Sequence, residues 1–270
     1  MSQMSPDQQG RVTLALDGHV AEVRLSRPDK HNALDERMFE ALSAAGTDLT
    51  TRPDVRAVVL SGEGPSFCAG LDLAHFGPKI AEGVFDDLGE RSHGDANLFQ
   101  HVALVWRDLQ VPVIAALQGS VFGGGLQIAL GADIRYAAPD ARLSIMETRW
   151  GLVPDMAGMV LLRGLVRDEV LRDLVYSARL VPAVEARELG LVTRVCDDPR
   201  AEALSVAHDL AAQSPRAVQA AKRLINAMAD LDRSALLKRE SVEQAPLLGG
   251  PDQIEAMRAQ AEGRPPEYAD

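Results

Sequence analysis

The stretch Val113–Asp133, VIAALQGSVFGGGLQIALGAD, decides how the rest of the chain is read. It opens on an apolar, β-rich run from Val113 to Leu117. Pro112 precedes that run, and its missing N–H is tolerated at a strand start. Gln118-Gly119 is a turn signal, and Gly123, Gly124 and Gly125 follow. Leu126, Ile128, Ala129 and Leu130 then continue as a short, mostly apolar helix, so the stretch reads strand, glycine turn, buried helix. Three glycines at a helix start cost backbone entropy. What they give is access: bare N–H groups at a helix N-terminus approach a ligand closely, and the dipole there favours negative charge. That suits a phosphate, or a carbonyl oxygen that becomes negative during a reaction. Close packing of the helix on a sheet accounts for the glycines equally well. The run is neither G-x-G-x-x-G nor a P-loop, since no Gly-Lys-Ser/Thr follows it.

Outward from this stretch, 270 residues allow one large domain or two small ones. Hydrophobic residues make up 46% and charged residues 25%, as in ordinary globular proteins. A net charge of -11 argues against nucleic acid and anionic membrane surfaces as general partners, while leaving room for a local basic patch on a phosphate. Cys68 and Cys196 suggest reduced thiols and a cytoplasmic setting rather than a disulfide scaffold. The six dispersed histidines have no metal-ligand spacing. The polar start MSQMSPDQQGR shows no signal peptide, and no apolar run approaches a membrane-spanning length.

Along the chain, residues 1–10 are expected to be a disordered lead-in. Val12–Leu16 and Val20–Leu25 alternate around Asp17-Gly18, a hairpin signal. Asp35 is placed to cap a helix reaching about Thr51, with Met38, Phe39, Leu42, Ala45 and Leu49 on one face. Val55–Leu60 is a buried strand. Residues 74–97 are the least readable, either a mobile lid or an irregular helix, before a helix from about Leu98 to Leu109. Ile134–Ala137 and Leu143–Met146 read as strands and 147–158 as a loop or broken helix, with a lone late strand at Val192–Cys196. Helices are predicted over Val160–Leu165, Asp168–Ser177, Pro182–Leu189, Glu202–Ala212 and Pro215–Met228. Two more are predicted, around Leu231, Leu236 and Leu237, and over 251–262. Strands alternating with helices and a helical final third indicate an α/β fold with a helical appendage.

At this point the chain resembles a known family. Ile114–Gly119, Gly123-Gly124-Gly125 and Ala132-Asp133-Ile134 look like the signature of the crotonase (enoyl-CoA hydratase/isomerase) superfamily. Arg27-Pro28 with Asn32-Ala33-Leu34, Phe67–Leu73, Gly151-Leu152-Val153-Pro154 and Ser214-Pro215 agree in order and spacing. The resemblance covers roughly residues 12–268. It implies a crotonase-like spiral of ββα units: a core over 11–197 and a helical C-terminal trimerisation region over 198–270. It further implies trimers, often paired into hexamers, and an acyl-CoA thioester substrate with no cofactor beyond the CoA it carries and no metal.

The family's shared chemistry is stabilisation of a thioester enolate. By position, the two backbone N–H donors for the thioester oxygen are those of Leu71 and Gly124, and one such donor is worth about 10²–10³ in rate. Similar hydratases use two glutamates; here the first position holds Gln127 and the second Glu147. Gln127 is a departure, because a neutral amide takes up no proton near pH 7. Asp155 and Glu147 match the Asp and Glu of the superfamily's dienoyl-CoA isomerases, which also carry an acid at position 127. The apolar loop between Glu147 and Asp155 would raise both carboxyls; alternatively, Asp155 caps a helix from Ala157. For CoA and substrate contacts the resemblance implies Lys30, Ala69, Asp72, Leu73 and Gly123. Near the C-terminus only Arg264 and Tyr268 resemble family residues that help form the CoA pocket. Three functions compete: an isomerase with Glu147 and Asp155 moving a proton, a hydratase with Glu147 activating water that Gln127 orients, and a non-catalytic CoA-thioester binder.

Overall fold

Two strands, β1 (Val12–Asp17) and β2 (Val20–Leu25), pair antiparallel across Gly18, whose φ of +57° suits a residue without Cβ. The structure, a computed structural model, describes residues 10–82 and 88–269. Most of the expected lead-in, residues 1–9, and residues 83–87 of the least readable stretch therefore lie outside it. Asp35 caps α1 (Glu36–Thr50) by accepting from the Met38 N–H, as its position predicts. β3 (Ala57–Gly62) follows, and then α2 (Leu73–Ala81), a helix where sequence periodicity left a lid open. Next comes α3 (Leu98–Asp108), entered through a reciprocal Asn97–Gln100 capping box.

The decisive stretch folds as β4 (Val113–Leu117), a short β5 (Ser120–Phe122) and α4 (Gly124–Leu130). β6 (Ile134–Ala137), β7 (Arg142–Ser144) and α5 (Gly158–Leu162) repeat the unit, with a single 3-10 turn, Glu147–Trp150, before the helix. The chain ends in α6 (Asp168–Ser177), β8 (Val181–Pro182), α7 (Ala183–Glu188), β9 (Arg194–Val195), α8 (Pro199–Ala211), α9 (Pro215–Ala227), α10 (Arg233–Gln244) and α11 (Pro251–Glu262). The large sheet runs β1-β2-β3-β4-β6-β9, parallel from β2 onward. The small sheet runs β5-β7-β8, and a bridge from Cys68 to Val121 adds the 66–72 segment beside it. Successive ββα units thus step along two sheets.

The parallel strands are buried on both faces, which is why they read as continuous apolar runs. Val58, Leu60, Val113, Ala115 and Leu117 face the main core, while Ala57, Val59, Ile114 and Ala116 face the other side. That second face is closed by Ala203, Ala207 and Ala211 of α8, small residues at four-residue spacing that let the helix lie close. The first of the later helices is thus packed directly on the sheet, down to Ala211. Lys222 of α9, buried, donates to Trp106 O, Val111 O and Asp133 Oδ2 at 3.1, 2.9 and 2.8 Å, tying the later helices to the start of β4. No helix among the described residues is long and apolar enough to cross a membrane.

Candidate active site

The glycine triplet needs its glycines for three separate reasons. Gly123 has φ +50° and ψ −122°, a conformation closed to other L residues, and a Cβ there would lie 3.3 Å from Glu147 Oε1. A Cβ on Gly124 would meet Met156 Sδ at 2.6 Å and Leu34 Cδ1 at 2.9 Å. On Gly125 it would strike the Cys68 carbonyl and side chain at 2.6–2.8 Å. Backbone conformation at Gly123 and close packing at Gly124 and Gly125 thus account for the three glycines.

Gln127 and Glu147 meet beside that turn. Gln127 Nε2 donates to Glu147 Oε1 at 2.6 Å, and Gln127 Oε1 accepts from the N–H groups of Met156 and Gly158 at 3.0 and 2.9 Å. An amide oxygen has two lone pairs, and here both are taken, which fixes which end of the amide faces Glu147. Those two bonds flank Ala157, whose φ of +64° is a strained, left-handed conformation for a residue with a Cβ. Gln127 thereby holds the entry of α5 and the carboxylate at once. Glu147 is buried, and its Oε2 has no hydrogen-bond partner. Burial pushes the Glu147 carboxyl above the ordinary range, against the Gln127 hydrogen bond, and the nearby Asp155 charge adds to the rise.

Asp155 does not cap α5: the position before that helix is Ala157, which has no capping side chain, and the Gly158 N–H goes to Gln127 instead. The Asp155 residue surface is exposed, yet the surrounding protein still raises its carboxyl. Between the two acids, Trp150, Leu152 and Val153 stand 56%, 47% and 69% exposed, so the loop is apolar and open rather than a dry pocket wall.

The second element is the segment 66–72. Asn32, buried with φ +55°, donates to the carbonyls of Glu63, Ser66 and Phe67 and accepts from the Arg27 N–H at 2.7 Å. Asparagine tolerates this left-handed backbone better than most residues, which gives the Asn32-Ala33-Leu34 motif a physical basis. Leu34 N–H donates to Gly70 O at 2.8 Å, and Asp72 N–H donates to Leu34 O at 2.9 Å. Peptides are trans and planar, so the Leu71 N–H points opposite the Gly70 carbonyl, away from Leu34. Gly70, at φ +88°, lies against Phe122 O and close to Gly123. The Leu71 and Gly124 backbones are thereby brought into one neighbourhood by the Cys68–Val121 bridge.

The remaining expected contacts fall out unevenly. Lys30 is exposed at the end of the 3-10 turn Pro28–Lys30, and Leu73 is exposed at the start of α2. Ala69 is half-buried and spends its N–H on His31 O at 2.9 Å. Arg264 is held by Glu255 at 2.6 Å and Glu262 at 2.7 Å, an engagement that keeps the Glu255 carboxyl at about 2. The Tyr268 carbonyl accepts from Arg56 Nη2 at 2.8 Å. Cys68 is fully buried, with its thiol pushed up to about 12. Sequence reasoning gave no role to Arg27 or Asn32, although both stand in the motif it quoted.

This fold has its counterpart among known proteins. The family profile described as enoyl-CoA hydratase/isomerase matches residues 16–270. The chain belongs to that family, the crotonase superfamily of acyl-CoA enzymes. It is 33% identical over 253 residues to enoyl-CoA hydratase EchA19 of Mycobacterium tuberculosis, covering 93% of each chain. It is 34% identical over 231 residues to the human mitochondrial Delta(3,5)-Delta(2,4)-dienoyl-CoA isomerase, covering 83% of this chain and 70% of that one. Among solved structures, an enoyl-CoA hydratase from Bacillus anthracis superposes with a TM-score of 0.86 at 28% identity, covering 96% of this chain and 98% of the other.

Proposed function

We propose that this protein shifts the double bond of an enoyl-CoA thioester. The N–H groups of Leu71 and Gly124 hold the thioester oxygen as it takes up charge. Glu147 Oε2 removes a proton from the carbon alpha or gamma to the carbonyl, and the electron pair moves onto that oxygen. The enolate collapses when Glu147 or Asp155 returns a proton to the other carbon. The observation that supports this most is the Gln127–Glu147 hydrogen bond. It engages Oε1, the carboxylate oxygen on the Gly123 side, leaves Oε2 buried without a hydrogen-bond partner, and supplies no second acid where a two-glutamate hydratase needs one. Shifting a double bond asks only for one group that takes and returns a proton.

Hydration is the second reading. Gln127 Nε2 carries two hydrogens and uses one on Glu147, so one N–H is left to steer a water; its oxygen, doubly engaged, has no acceptor capacity for that water. Of the contacts the resemblance implies, Lys30, Ala69, Leu73 and Gly123 are kept as the positions proposed nearest CoA and substrate. Trimer formation through the C-terminal helices belongs to the same proposal, supported by exposed Ile225, Met228, Leu237, Val242, Ile254 and Met257. The deciding experiment mixes the protein with a 3-enoyl-CoA and, separately, with crotonyl-CoA, and follows the absorbance of the conjugated thioester. A rise with the first that outpaces the fall with the second supports isomerisation, the reverse supports hydration, and no change with either overturns both.

A further inference from the structure

Arg27 and Asp72 form a mostly buried ion pair, with Nη1 and Oδ2 2.8 Å apart and side chains only 13% and 11% exposed. Solvent and salt screen such a pair weakly. The same Arg27 Nη1 donates to Ala33 O at 2.9 Å and lies 3.7 Å from Asp35 Oδ2, which Arg11 Nη2 holds at 2.6 Å. Arg27 thus grips the 33–35 segment with one end of its guanidinium and position 72 through the same nitrogen. Between those two grips lie the Leu34–Gly70 and Asp72–Leu34 hydrogen bonds that turn the Leu71 amide outward. Both oxygens of Asp72 are engaged within the chain: Oδ1 accepts from the N–H groups of Ala74 and His75 at 3.1 and 3.2 Å, starting α2, and Oδ2 takes Arg27. Most of the acceptor capacity of that carboxylate is thus spent on the fold.

We propose that the Arg27–Asp72 ion pair is a positioning device for the first oxyanion donor, fixing the direction of the Leu71 N–H without touching substrate. It rests on the oxyanion role proposed above for Leu71. Arg27 and Asp72 are then positioning residues, and Asp72 leaves the set of CoA contacts. Misaiming one donor by a fraction of an ångström weakens an interaction made mainly in the transition state, so kcat falls while KM holds.

The test uses the full chain with Asp72→Asn and Arg27→Gln. Asparagine caps a helix as well as aspartate, so Asp72→Asn keeps the start of α2 and breaks the ion pair, its Nδ2 facing Arg27 donor to donor. Each variant is expected to lose about 10- to 100-fold in kcat on a 3-enoyl-CoA, less than the full loss of an oxyanion donor, with KM nearly unchanged. The Arg27→Gln/Asp72→Asn double variant is expected to be no worse than the poorer single. Infrared spectra of bound hexanoyl-CoA, which cannot react, read the donor directly. Its thioester C=O stretch should fall on binding to the wild type and return toward the free value in both variants, with Arg27→Lys in between. A raised KM at unchanged kcat and unchanged C=O stretch would mean that Asp72 touches CoA and overturns the proposal. A lowered Tm with unchanged kcat per folded enzyme overturns it as well. If Arg27→Gln does not fold, Asp72→Asn and Arg27→Lys decide by the same two readouts. Wild type that neither turns over 3-enoyl-CoA nor shifts the hexanoyl-CoA carbonyl sinks the oxyanion role itself, a result distinct from normal wild type with unaffected variants.

Discussion

Gln127 and Glu147 share one short hydrogen bond, Nε2 to Oε1 at 2.6 Å, between a helix that begins in glycine and a 3-10 turn twenty residues on. It commits one oxygen of the acid and leaves Oε2 buried without a partner. An unsatisfied buried carboxylate oxygen is costly for the fold, and such costs are concentrated where chemistry is done.

Glu147→Gln keeps the shape and can still accept from Gln127. Turnover is expected to fall by about 10²–10⁴, the usual worth of an acid–base group, with acyl-CoA affinity little changed. Stability should move the other way. Because the folded carboxyl lies above its unfolded value, the folded state binds more protons, and the contribution of Glu147 is full below the unfolded pKa and lost as pH rises through the folded one. The variant should therefore gain in Tm at pH 8 relative to wild type more than at pH 4. Thermal melts at the two pH values check this, and equal shifts would contradict it.

Asp155→Asn removes a negative charge that raises the Glu147 carboxyl. The acidic limb of the kcat/KM profile, set by ionisation of Glu147, should move to lower pH while remaining above an ordinary carboxylate. A limb that stays put would mean the two acids do not communicate. Complete loss of isomerisation would instead assign Asp155 the proton-returning step.

Gln127→Glu places a carboxylate against Glu147 Oε1 while the Met156 and Gly158 N–H groups favour its charge. Two carboxylates so close share a proton, and one of them titrates well upward. Hydration of crotonyl-CoA is expected to rise relative to isomerisation, with the acidic limb displaced to higher pH. Unchanged hydration alongside fast wild-type hydration would show that Gln127 never limited water addition.

Gly124→Val puts branched carbon against Met156 Sδ and Leu34 Cδ1, where a single Cβ already comes within 3 Å. Met156 is flexible at that end and yields partly; Leu34 is fully buried and does not. Poor soluble yield, or soluble protein with nearly all turnover lost, is expected. Full activity in soluble Gly124→Val would remove this turn from the active site.

Much of the fold was legible because β1 alternates, β3 and β4 are continuous buried runs, and α1 carries its Asp35 cap. β5 was missed because its three residues lie inside what reads as a glycine turn, and β8 because Pro182 reads as the start of the following helix. Glu147 was placed by its motif, and the departure at Gln127 was visible as a residue type. Its two backbone acceptor bonds were not, since they join residues 29 and 31 positions away through a loop with no pattern. The Arg27–Asp72 pair escaped for the same reason: spacing in sequence gives no sign of contacts across 45 positions, although both residues stood in the motifs. The alternative of Asp155 as a helix cap fails because the helix begins two residues later than such a cap needs, and Gln127 does that local work from another element.

The loop from Thr148 to Asp155 is anchored at both ends, by the Glu147 turn before it and by Gln127's grip on Met156 and Gly158 after it, while Trp150, Leu152 and Val153 project into solvent. The fixing of the buried acid and the shape of the exposed rim are therefore separable: exchanges at those three positions reshape the surface beside Glu147 while the hydrogen bonds that anchor the loop at both ends stay in place.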